Sequence, residues 1–96
     1  MGADVFMVQA SGNTPREAFN QACEDAFYMH GHGGYSGTIA EKGSYVLIPL
    51  PEDKDPMEYA DELIDNEDRR VDDKWGPAGC IKIEDGQYLF FGWASS

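Results

Sequence analysis

Residues 79–84 (GCIKIE) and 87–94 (QYLFFGWA), joined by Asp85-Gly86, constrain the fold more than any other part of the chain. An Asp-Gly step between two β-rich runs favours a tight turn, so this segment predicts an antiparallel hairpin. Side chains on a strand alternate between its faces, so Phe90 and Phe91 must point opposite ways. One of the two is exposed unless both faces of the sheet are covered. An exposed aromatic side chain there would anchor an interface. Core packing is the default for this aromatic set, to which Trp75, Tyr88 and Trp93 also belong.

Two helix starts share one grammar. In Thr14-Pro15-Arg16-Glu17, Thr14 can cap, Pro15 suits the first helical position and Glu17 completes a capping box. Phe19, Ala22, Cys23, Ala26 and Phe27 follow at amphipathic helical spacing, with Gly31 as the stop. Asp55-Pro56-Met57-Glu58 repeats the pattern, with Met57, Ala60, Leu63, Ile64 and Val71 as its inward stripe. Residues 4–10 (DVFMVQA) read as a strand. Residues 38–41 and 45–50 (YVLIPL) read as a strand pair turning at Lys42-Gly43, the second being apolar enough for a central place in the sheet. The order is β-α-β-β-α-β-β. It predicts one α+β domain over residues 1–96, a single mostly antiparallel sheet of about five strands with both helices on one face.

The chain carries 18 acids against 7 bases, a net −11. Phosphate binding needs clustered Lys and Arg, so this balance argues against direct binding to nucleic acid or anionic lipid. It points instead to a basic protein partner, or simply to solubility. The charge is not spread evenly: residues 52–73 hold eleven acids and three bases, a net −8. Glu58, Asp61, Glu62 and Asp65 fall on one helical face, where neighbouring Cβ atoms lie ~5–6 Å apart. Such a stripe can imitate a nucleic-acid backbone. The bland alternative is a solvated helix face.

The Gly-rich stretch 30–37 (HGHGGYSG) holds the two histidines, His30 and His32. Two imidazoles, with Glu24, Asp25 or Glu41 as a third ligand, are too few for a convincing metal site. The alternative is His30 at the C-terminus of the first helix, where a cation suits the dipole. The glycines follow a helix instead of opening one, so they do not make a phosphate cradle. A small-molecule pocket near Tyr28, Tyr35 and Tyr45 competes with simple turn geometry. Cys23 and Cys80 make no disulfide framework and suit small buried apolar positions. No spacing pairs a nucleophile with a base. There is no charged-then-apolar leader and no apolar run of bilayer length, which predicts a cytoplasmic protein.

The strings HGHGGYSGTIAEK (residues 30–42), DKWGPAGC (73–80) and FFGWAS (90–95) resemble a family of small bacteriophage-encoded proteins. The resemblance covers about half of the chain, and the family brings no secure activity or site residues with it. It implies a context, that of small acidic phage products which disable a host protein by occupying a nucleic-acid site. The leading expectation is therefore a non-enzymatic inhibitor of a host nucleic-acid-handling or CRISPR-type defence complex, acting in the bacterial cytoplasm. Glu58, Asp61, Glu62, Asp65 and Asp68 would form the contact face, with no metal or cofactor. The alternative is a nucleotide-signal binder using Tyr28, His30, His32, Gly34, Tyr35 and Thr38. An uncovered sheet edge would favour a dimer.

Overall fold

The hairpin around Asp85-Gly86 forms the centre of the sheet. In the computed structural model, which describes residues 3–30 and 38–95, strands β3 (Ala78–Glu84) and β4 (Gln87–Ser95) pair antiparallel. Gly86 takes φ 80°, a left-handed conformation that glycine adopts without a Cβ penalty. A bulge between Lys82 and Glu84 absorbs the register shift. Strand β1 (Ala3–Ser11) runs antiparallel along the other side of β4, from Ala3 opposite Ser95 to Ser11 opposite Gln87. Strand β2 (Tyr45–Leu47) lies parallel to β3, giving the order β1-β4-β3-β2.

Both helices start where the capping grammar places them. Helix α1 (Pro15–His30) opens with the Thr14 hydroxyl accepting from the Glu17 N–H at 3.2 Å. Helix α2 (Pro56–Asp65) opens with the Asp55 carboxylate accepting from Met57 and Glu58 N–H at 3.1 and 3.3 Å. Such caps contribute ~1 kcal/mol each. α2 ends at Asp65, well short of Val71. The Asp68 N–H reaches back to the Leu63 carbonyl and the Glu67 N–H to that of Ile64, with Glu67 at φ 54°. This is a Schellman close with glutamate where glycine is usual. The expected stop of α1 at Gly31 lies outside the described residues.

The two helices lie on opposite faces of the sheet, which corrects the expectation of one shared face. Ala18, Phe19 and Ala22 of α1 pack with Phe6, Cys80, Tyr88 and Phe90. Ala60, Leu63 and Ile64 of α2 pack with Ile81, Leu89, Phe91 and Val71. Phe90 and Phe91 therefore point opposite ways and are both fully buried. Each stabilises the fold by roughly 1.5–3 kcal/mol through burial. On the α1 face, Phe19, Tyr45 and Phe90 meet with ring centroids 5.1–6.0 Å apart. On the α2 face Gly79 is obligatory: a Cβ there would stand 2.6 Å from the Phe91 ring and 2.7 Å from Val71 Cγ1.

Four further expectations change. The sheet has four strands and is mixed, because α2 crosses over between the parallel pair β2 and β3. The apolar run 45–50 is an edge strand of only three residues, since Pro49 and Pro51 cannot donate to a ladder. Residues 38–41 are no strand: Ile39–Glu41 form a 3-10 turn capped by Thr38, which drives Ile39 into the α1-side core. Among the inward stripes, Phe27 and Met57 turn out to be exposed.

Candidate functional site

The outer face of α2 carries the densest fixed charge. Its inner side is anchored by Ala60, Leu63 and Ile64, so the intervening residues must face solvent. Glu58, Asp61, Glu62 and Asp65 are all exposed on that outer side. Among the described residues only Glu62 has a cation in contact, Lys54 at 2.9 Å, an exposed pair. Asp68 falls outside this face. It lies in the turn after α2, half-buried, and Arg70 grips it through both carboxylate oxygens at 2.9 and 3.0 Å. Those hydrogen bonds hold the Asp68 carboxyl below its ordinary value. Of the five acids expected to form the contact face, four share one surface and the fifth is already paired.

Of the residues of the ligand-loop alternative, only Tyr28 and Thr38 have described side chains. Tyr28 is 90% exposed. Tyr45 packs against Phe19, and Arg16 lies 5.3 Å from the centroid of its ring. Phe19 and Tyr28 are separated by about 13 Å of helix rise. Thr38 uses its hydroxyl to accept from the Ala40 N–H at 3.2 Å. His32, Gly34 and Tyr35, and the side chain of His30, lie outside the description. Among the described residues no group of three His, Cys, Asp or Glu side chains is placed to hold a metal.

Sequence reasoning missed three features. An open groove of about 430 Å³ runs between β1 and the C-terminal half of α1, its lining including Val5, Phe6, Asp25, Ala26, Met29 and Thr38. A second groove of about 420 Å³ lies beside Leu47, Pro49, Lys82 and Tyr88. The third is Lys42, which looked like a turn residue and is buried. Its ammonium donates to the carbonyls of Asp73, Lys74 and Gly76 at 3.1, 3.1 and 3.0 Å. Burial lowers its pKa, partly opposed by the charge of Asp73. The ammonium thus fixes the turn that presents Trp75, 63% exposed, with Lys74 Nζ 5.4 Å from the ring centroid.

Both thiols are unreactive in character. Burial pushes Cys23 up to about 11 and Cys80 up to about 12, and the Cys23 thiol donates to the Ile39 carbonyl at 3.6 Å. Thiols raised this far hold almost no nucleophilic thiolate near neutrality. No described helix is long and apolar enough to cross a membrane. Comparison with known proteins finds no matching family model, no matching curated protein and no matching solved structure.

Proposed function

We propose that the protein is a non-enzymatic binding protein that lays the outer face of α2 into a basic groove of a nucleic-acid-handling partner. One observation carries this reading. Glu58, Asp61, Glu62 and Asp65 are held exposed, on one side of a helix whose other side is locked into the core. A stripe presented on a packed helix has its backbone already ordered, so docking costs it only side-chain freedom. Its charge spacing, ~5–6 Å between neighbouring Cβ atoms, suits a groove built for phosphates. The raised thiol pKa values of Cys23 and Cys80 speak against cysteine nucleophiles. The resemblance to phage-encoded proteins favours inhibition of a host defence complex, of the CRISPR type among others, as the biological setting.

The test is affinity capture from bacterial lysate with the parent chain and an Asp61→Lys/Asp65→Lys variant. Roughly 0.05 and 0.3 M salt separate screened from unscreened attraction. The expected result is a nucleic-acid-binding protein that the parent holds, that DNA or RNA displaces, and that the variant loses. Retention of the same protein by the variant, or affinity indifferent to salt, would overturn the reading.

A further inference from the structure

The two edges of the sheet are built differently. β2 is three residues long and runs into Pro49 and Pro51, so it offers little to pair with. β1 is nine residues long, contains no proline or lysine, and pairs with β4 in unbroken register with no bulge. Among the described residues no strand lies on its outer side. Natural edges are normally blunted by shortness, proline, lysine or bulges. β1 has none of these protections.

We propose that the outer edge of β1 is a self-association seam. Two copies pair β1 antiparallel about a two-fold axis at Met7, joining two four-stranded sheets into one. The register follows from parity. A two-fold axis perpendicular to the sheet keeps each side chain on its own face, so opposed residues must be both odd or both even. The axis therefore passes between the two copies of one residue, and Met7 is the centre that uses all nine positions. Phe6 then faces Val8 of the second copy, and Val5 faces its Gln9.

The local charge of the strand, as distinct from that of the whole chain, admits a second copy as the occupant. β1 holds one of the chain's 18 acids and none of its 7 bases. A basic strand would find only Asp4 to attract it there. In the two-fold register Asp4 faces Ala10 of the second copy, so the row of a second copy fits without opposing two acids. The pairing also covers Val5, which is 45% exposed in the single chain. The same axis leaves both α2 helices on one face of the joined sheet, doubling the acidic surface. That consequence rests on the proposed function, whereas the seam does not.

The two associations respond oppositely to salt. Each copy carries a net −11, so screening strengthens the pairing of two copies, while it weakens docking onto a basic partner. Sedimentation velocity of the full chain should show a mass approaching twice 10.6 kDa as concentration rises. The dimer fraction should be larger at roughly 0.5 M than at 0.05 M salt. Val5→Cys and Gln9→Cys chains report the register, both sites being exposed. Under mild oxidation an equimolar mixture should give covalent dimer at least tenfold faster than either variant alone. A monomer at every concentration and salt would overturn the proposal. So would a dimer that weakens with salt, or one whose mixture crosslinks no faster than its components.

Discussion

Replacing Lys42 by Met keeps an unbranched stem out to the ε carbon and removes the ammonium, and the cost can be worked from the contacts. Three carbonyls, those of Asp73, Lys74 and Gly76, lose a donor at 3.0–3.1 Å. An acceptor left dry costs ~1–3 kcal/mol, which sets an upper bound near ~9 kcal/mol for three. Two effects cut this down. Asp73 and Trp75 are exposed, so water can reach part of the turn. The variant also escapes the cost of burying a charge, the same desolvation that lowers the Lys42 pKa. The net expectation is a loss of about 2–3 kcal/mol, or roughly 10–20 °C in Tm for a domain of this size.

Urea unfolding would read the loss as a fall in midpoint at unchanged slope. Amide exchange should quicken at Gly76, whose N–H donates to the Asp73 carbonyl at 2.9 Å, and at Trp75, whose N–H donates to the Asp73 carboxylate at 2.9 Å. Lys42→Arg keeps the charge, but its planar fork cannot converge on three carbonyls as an ammonium does, so it should fall between parent and Met. The pH dependence gives a separate check. The folded-state pKa lies below 10.5, so in the window between that lowered value and 10.5 the unfolded chain holds the proton longer. Parent stability therefore gains a rising component with pH across that window, which the Met variant lacks. A Met variant within about 0.5 kcal/mol of the parent, with unchanged exchange at Gly76, would refute the stapled turn.

Three shorter predictions concern single positions. Gly79→Ala should cost about 1–3 kcal/mol by overpacking, because Phe91 and Val71 beside it are buried and cannot withdraw; denaturant melts showing no loss would mean that the face relaxes. Glu67→Gly should stabilise by about 1 kcal/mol by relieving a left-handed non-glycine, measured as a rise in Tm. Asp68→Asn should reduce acid sensitivity. The depressed carboxyl gives stability that is present above its ordinary value of 3.8 and lost as pH falls through its lower folded-state value. The pair is partly exposed, so the effect should stay under about 1 kcal/mol.

What the sequence made legible was local chemistry. Thr14-Pro15 and Asp55-Pro56 mark helix starts because the cap accepts from one unpaired N–H of the first turn and the proline removes another, wherever the helix lies. Asp85-Gly86 marks the hairpin because the tight turn needs a left-handed residue, which Gly86 supplies. The placement of the helices was also written in the sequence, in the adjacent Phe90 and Phe91, whose joint burial requires both faces to be covered. It competed with a simpler one-face packing that no local signal excluded. Partners distant in the chain left no trace. Ile39 looks like a strand residue until the core that receives it is known, and Lys42 looks like a turn residue until the carbonyls of 73–76 meet it. The end of α2 was hidden because Glu67 occupies the position where glycine would have announced it.

The acidic face itself separates function from folding in a way that one variant can measure. On α2 the pairs Glu58–Asp61, Glu58–Glu62, Asp61–Asp65 and Glu62–Asp65 stand at helical neighbour spacing, and each repels by ~0.2–0.5 kcal/mol. Lys54 is paired with Glu62 and acts on Glu58 only through its charge at longer range. The helix tolerates this because the Asp55 cap and the burial of Leu63 and Ile64 outweigh it. Asp61→Lys turns two repulsions, with Glu58 and Asp65, into attractions of similar size. It should therefore stabilise the domain by about 1 kcal/mol, raising Tm by about 4–8 °C. The same change should weaken docking to a basic partner. A chain selected only for folding has no reason to keep an aspartate that makes it less stable, so a more stable and weaker-binding variant is the signature of a contact surface. A Tm that fell instead would assign Asp61 a structural role and remove the electrostatic argument for the α2 face.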